Sequence, residues 1–379
     1  MSSETILRNA RIVLADEVLE GAIVIRDGRI ADVAAGPSGI GEDMEGDYVI
    51  PGLVELHTDH LESHIQPRPK VRWNLDAAIL AHDAQVATAG ITTVLDALRL
   101  GRDEDTFFTG EDLRALADGI ETAVDKGRLR ADHYLHLRCE VSAPNCQEDY
   151  TFFAEDDRVK LASLMDHAPG QRQFVNFETY ATYYQSKLKL SDEAFRAFTE
   201  KRIEQSQRYA SVNRDAIAAA CKARGIVLAS HDDATLEHVE ESVARDIRIA
   251  EFPTTLDAAR ASGAAGLAVL MGAPNVIRGG SHSGNVSAGE LAREGLLDIL
   301  SSDYIPFSLI QAAFFMADRM DGISLPQSVA MVTRKPAEAV GLDDRGCIAP
   351  GLRADLVRVR AEDAVPVVRT VWREGRRVA

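Results

Sequence analysis

Hydrophobic and polar positions follow two textures along the chain. The first fifty residues read as short strands, "ETILRNARIVLAD", "GAIVIRDGRIADVAA" and "DYVIPG", separated by turn signals such as Asp27-Gly28. The C-terminal stretches "RGCIAPGLRADLVRVRA" and "VVRTVWREGRRVA" repeat that style. Between these ends, apolar and β-branched runs recur at 53–57, 91–98, 134–141, 160–167, 226–231, 247–252, 267–272 and 297–303. Helical segments such as "EDLRALADGIETAVDKG" and "NRDAIAAACKARG" lie between most of them. Runs that are apolar without alternation mark strands buried on both faces, as in a parallel sheet wrapped by helices. Eight of them over about 250 residues fit a TIM-type barrel. An open doubly wound sheet loses ground because no Gly-rich dinucleotide loop follows an early strand. The pattern predicts an α/β chain: a distorted TIM (β/α)8 barrel over 53–339 and a small β-sandwich domain built from 1–52 and 340–379.

Composition narrows the function classes. With 379 residues, 46% hydrophobic and 27% charged, the chain has the make-up of a soluble globule. No apolar run approaches the roughly 20 residues that span a bilayer, and "MSSETILRNARIVLADE" lacks a basic-then-apolar leader, which predicts a cytoplasmic location and no membrane partner. The four cysteines fall at no zinc-finger or redox spacing. A net charge of −17 argues against nucleic acid and requires that an anionic substrate be met by a local basic pocket.

In a barrel of this kind chemistry sits at the carboxyl ends of the strands. Those ends carry His57 and Asp59, Glu140, Asp166 and His167, His231 with Asp232 and Asp233, and Asp303. His57 and Asp59 are two apart, so a regular strand points both to one face, roughly 7 Å apart at the backbone. Mixed His/Asp/Glu sets suit zinc, manganese or iron, and the lack of cysteine at the tips speaks against a closed structural zinc site. Any one such residue is more often a cap or turn residue: Asp232 and Asp233 have the look of caps for a helix starting near Thr235, and Asp96 of a cap or an arginine partner. Recurrence of ligand chemistry at run after run is what capping does not require.

"PGLVELHTD" resembles the opening motif of the amidohydrolase superfamily, and "GCIAPGLRADLVRV" resembles that superfamily's return to its β-sandwich. Together with "ITTVLDAL", "HLRCEV", "SLMDHAPGQRQF", "LASHDDAT", "AEFPTT", "MGAPNVIRGGSHSGN" and "LSSDY", the chain is similar to one family in it. These are the alpha-D-ribose 1-methylphosphonate 5-triphosphate diphosphatases of the carbon–phosphorus lyase pathway. The resemblance implies one or two divalent ions held by His57, Asp59, Glu140, His167 and His231. Asp59 stands where a second His is usual in the superfamily, a replacement this family shares. Counting runs puts Glu140 on the third and His167 on the fourth, one earlier than the superfamily's commonest arrangement.

"NVIRGGSHSGN" offers Arg278, Gly279, Gly280, Ser281 and His282 between two strands, and adjacent backbone N–H groups in such a turn form an anion-binding nest. His282 could equally serve as a ligand. "QPRPKVRW" adds Lys70 and "HAPGQRQF" adds Arg172 as further phosphate contacts. The expected reaction lowers the pKa of a metal-bound water. The resemblance implies that Asp303 accepts its proton and that hydroxide attacks the ribose-proximal phosphorus of a ribose triphosphate, so that diphosphate leaves. Two alternatives use the same tips: a deaminase or cyclic-amide hydrolase, which needs no glycine nest, and an inactive metal-binding subunit. A homo-oligomer is compatible with the sequence.

Overall fold

Eight parallel strands stand side by side in chain order in a computed structural model of the chain, which describes residues 4–68, 70–102, 108–172, 180–181, 184–185, 190–281, 284–362 and 365–379. They are β6 (Leu53–Thr58), β7 (Ile91–Leu100), β8 (Asp132–Glu140), β9 (Val159–Met165), β10 (Val227–His231), β11 (Ile249–Glu251), β12 (Ala268–Gly272) and β13 (Ile299–Ser301). Each falls on one of the eight runs. The side chains explain why: Leu95, Leu161, Ala229, Ile249, Leu270 and Ile299 meet inside the barrel. Leu98, Leu135, Leu137 and Leu164 point out, against Leu113, Leu116, Ile120 and Ile217 of the helical layer. Both faces are thus apolar, and burial on both faces is what removes alternation from the sequence.

The barrel is nearly closed. β6 and β13 are joined by a single bridge between Thr58 and Asp303, with the Asp303 N–H donating to the His57 carbonyl at 3.1 Å. Buried Glu55 ties the same seam, since its carboxylate accepts from the backbone N–H of His57 and of Ser302, both at 2.6 Å. Burial pushes the Glu55 carboxyl up to about 7, against those hydrogen bonds.

Both termini build one mostly antiparallel sheet. It comprises β1 (Glu4–Val13), β2 (Val18–Arg26), β3 (Arg29–Ala35), β4 (Glu42–Asp43), β5 (Tyr48–Pro51), β14 (Leu356–Glu362), β15 (Val365–Arg373) and β16 (Arg376–Arg377). β5 pairs with β14, so the chain's two ends share a ladder. The outer strand β3 curls back: Ile30 N–H bonds Leu352 O at 2.9 Å, which encloses Leu7, Ile12, Ile23, Ile30, Leu356 and Trp372. No described helix is long and apolar enough to cross a membrane.

Candidate metal centre and active-site cavity

A cavity of about 490 Å³ opens at the carboxyl ends of the barrel strands. His57, Asp59, His167, His231, Asp232 and Asp303 line it. The strands deliver these side chains through short irregular turns. Asp232 and Asp303 both carry positive φ, 59° and 56°, a conformation non-glycine residues seldom adopt and one that clusters at functional sites. The Thr58–Asp303 bridge sets Asp303 beside His57. Asp59 reaches the cavity from the N-cap position of the helix His60–Ile65, so the turn, not strand alternation, aims it.

The three imidazoles are held from behind. His57 Nδ1 and His231 Nδ1 lie 3.0 and 3.1 Å from the two oxygens of Glu251, a fully buried carboxylate. His167 Nδ1 lies 2.6 Å from Glu140 Oε2. Glu140 is fully buried too; it also accepts from Ser142 Oγ at 2.6 Å and pairs with Arg99 at 3.4 Å. It closes β8, the third barrel strand, while His167 follows β9, the fourth. Glu140 therefore meets the cavity through His167 rather than at its wall. Burial alone would raise Glu140 and Glu251, but His167 and Arg202 outweigh it for the first, and His57, His136 and His231 for the second, so both stay well below the usual carboxylate range.

With Nδ1 engaged, Nε2 is the nitrogen each ring offers elsewhere. His231 Nε2 and His167 Nε2 stand 3.4 and 3.7 Å from Asp232 Oδ2. That oxygen is buried and has no hydrogen-bond partner among the described residues. Two imidazole nitrogens around an unsatisfied buried carboxylate oxygen are what a cation site of N and O donors requires. The surroundings call for positive charge in another way: burial lowers His167, yet Glu140 and Asp232 carry it up to about 9. The donors fit a divalent ion.

Arg278, Gly280 and Ser281 also line the cavity. Gly279 ends the helix Ala273–Arg278 in the left-handed region at φ 77°, and the Gly279 and Gly280 N–H groups turn back onto Val276 and Asn275 carbonyls. The anion nest read from those glycines does not form there, because closing the helix uses their donors. His282 lies outside the described residues. Arg172 is elsewhere: buried, it pairs with Asp233 and with Glu241 at 2.7 Å, a structural ion cluster under the rim. Lys70 is exposed and off the cavity wall.

Asp232 and Asp233 do not cap; Thr235 caps the helix Leu236–Val243 by accepting from His238 N–H. Asp96 pairs with histidines, not with an arginine. Sequence reasoning passed over Glu251, which ends "IRIAE", and over Arg99 and Arg138, which line the cavity from β7 and β8. Arg138 stands two before Glu140 and pairs with Asp59 at 3.3 Å, so its in-facing register was open to view.

Comparison with known proteins agrees. The sequence profile of the Amidohydrolase family matches residues 208–379. The chain is 48% identical over 376 residues to the alpha-D-ribose 1-methylphosphonate 5-triphosphate diphosphatase of Escherichia coli (strain K12), covering 98% of this chain and all of that one. An adenine deaminase of Ligilactobacillus salivarius is 25% identical over 94% of this chain and 54% of its own length. In fold, the chain is similar to 5-methylcytosine deaminase from Klebsiella pneumoniae, with a TM-score of 0.66, 16% identity and coverage of 99% and 98%. N-acetyl-D-glucosamine-6-phosphate deacetylase from Mycobacterium smegmatis gives a TM-score of 0.64 at 16% identity, covering 99% of both chains. The chain is a hydrolase of the amidohydrolase superfamily and belongs with its alpha-D-ribose 1-methylphosphonate 5-triphosphate diphosphatases.

Proposed function

We propose that the chain hydrolyses alpha-D-ribose 1-methylphosphonate 5-triphosphate, adding water at the ribose-proximal phosphorus and releasing diphosphate, in the cytoplasm. The observation that carries this reading is one cavity lined both by the cation-ligand set and by Arg278 and Ser281, in a chain 48% identical along its length to a diphosphatase of that substrate. His57, His167, His231 and Asp232, with Asp59 beside them, would hold the ion; N and O donors suit zinc, manganese or iron. When bound, a divalent ion supplies Lewis acidity and positive charge for phosphoryl transfer. In this reading Asp303, which lines the cavity, accepts the proton of the attacking water. Glu140 and Glu251 keep the imidazoles in the tautomer that leaves Nε2 open. Arg278 and Ser281 bind the outer phosphates, and Arg99 and Arg138 offset charge on the oxygens nearer the barrel. The bond from the ribose-proximal phosphorus to the bridging oxygen breaks, and the outer two phosphates leave together as diphosphate, carrying that oxygen.

Product analysis tests it. Metal-loaded protein given the ribose methylphosphonate triphosphate should release one diphosphate per turnover. Release of single phosphate, or ammonia from an aminopurine with no diphosphatase activity, would overturn the reading.

A further inference from the structure

His60 and His64 complete the histidine-rich stretch after β6 but do not line the cavity. They sit on the helix His60–Ile65, four residues apart and hence on one face. The helix Leu75–Thr88 presents His82 and Gln85, three apart, on one face of its own. The two faces meet. His60 Nε2 and His64 Nε2 lie 2.9 and 3.0 Å from Gln85 Oε1. The His60 and His64 rings are 5.0 Å apart between centroids, and the His82 ring is 6.3 and 5.9 Å from them. Three imidazoles around one tetrahedral ion have centroids roughly 5 Å apart, given metal–nitrogen bonds of about 2.1 Å. The His60–His64 pair has that spacing and His82 is within about 1.5 Å of it.

His82 is fully buried. Its Nε2 lies 2.8 Å from Asp96 Oδ1, and its Nδ1 has no partner among the described residues. A carboxylate at Nε2 draws the ring proton there and leaves Nδ1 with a free lone pair, which is how metal-binding histidines are held. Asp96 is fixed in turn: His133 Nδ1 lies 2.7 Å from its second oxygen, and His133 Nε2 lies 3.4 Å from Asp83. His82, Asp96 and His133 are close enough to hold an ion themselves. Hydrogen bonds of 2.7 and 2.8 Å already close that trio, so the open side is His82 Nδ1.

We propose that His60, His64 and His82, with the Gln85 amide oxygen as fourth donor, form a second metal site, separate from the cavity, that takes a zinc-class divalent ion. Asp96 and His133 lie on the outer faces of β7 and β8, alongside Leu98 and Leu135, so the site is behind the barrel wall. His60 and His64 are half-buried, which gives an ion a way in. An ion here would clamp the turn carrying Asp59 to the helix behind it. The inference is independent of which substrate the cavity takes.

Cobalt(II) counting tests it. Chelator-stripped protein is saturated with cobalt, desalted, and measured by atomic emission and visible absorption. The double variant His60→Asn/His64→Gln should hold one equivalent less than wild type and lose one set of four-coordinate cobalt bands. His57→Ala should keep those bands. Equal stoichiometry and spectra in wild type and the double variant would overturn the site. Should the double variant not fold, carbethoxylation of wild type decides: zinc should protect His60 and His64, and labelling unchanged by zinc overturns the proposal.

Discussion

Replacing Glu251 by Gln removes one charge and changes no shape, yet it should disable the metal centre. The Glu251 oxygens meet His57 Nδ1 at 3.0 Å and His231 Nδ1 at 3.1 Å, so one carboxylate sets the tautomer of two rings. A glutamine has one acceptor oxygen and one NH2 donor. Whichever way the amide lies, its nitrogen faces an Nδ1–H, donor against donor. That ring relieves the clash by moving its proton to Nε2, where an N–H cannot bind a cation. Loss of such an orienting partner weakens metal affinity by about 10- to 100-fold, or about 1.4–2.7 kcal/mol. Because a whole ring is withdrawn, not merely loosened, the upper end is expected. Metal-buffer competition on purified wild type and Glu251→Gln measures it, with circular dichroism to show that both fold. An unchanged affinity in a folded Glu251→Gln protein would refute the orienting role.

Three further outcomes are expected. Asp303→Asn should lower kcat by a factor on the order of 10² to 10⁴ with most metal retained, since it removes the proton acceptor; near-wild-type turnover would sink that assignment. Arg278→Ala should raise KM for the triphosphate and leave metal content alone, as measured by initial rates and atomic emission; a pure kcat loss would contradict phosphate binding. For stability, burial lowers His133 but Asp96 and Asp83 outweigh it and hold it at about 9, above the roughly 6.5 of an unfolded chain. The imidazolium's contribution is therefore full below about pH 6.5 and is lost as pH rises through 9, a fall on the order of 3 kcal/mol. Urea unfolding of metal-free protein should show that decline and His133→Gln should flatten it; parallel curves would rule it out.

The fold was legible because each barrel strand is buried on both sides, and a run such as "ITTVLDAL" carries that burial in consecutive letters. Even so, "VLD" hides a polar residue: Asp96 sits at full burial on the outer face, where His82 and His133 satisfy it. Such a residue reads locally as a turn or cap, since its partners are 14 and 37 residues away. The glycines of "RGGS" misled for the opposite reason. Adjacent glycine N–H groups read as an anion nest, but left-handed Gly279 closes a short helix, and donors turned back onto its carbonyls cannot also face an anion.

The candidate site divides along the same line. His57, His167 and His231 were visible because each terminates an apolar run, and strand ends converge in a barrel whatever the loops do. Glu140 and Glu251 end runs in the same way, yet position on a strand cannot say whether a carboxylate faces the ion or stands behind an imidazole. That difference is one of which side chains the carboxylate meets across the barrel. Glu251 is the last residue of a three-residue strand, paired with His231 on one side and with Leu270 on the other. There it touches two rings from strands 20 and 194 residues away in sequence. Those meetings come from pairing register, which no local pattern encodes. Strand-end chemistry can therefore be listed from a sequence, whereas its sorting into groups that bind and groups that orient needs the ladder.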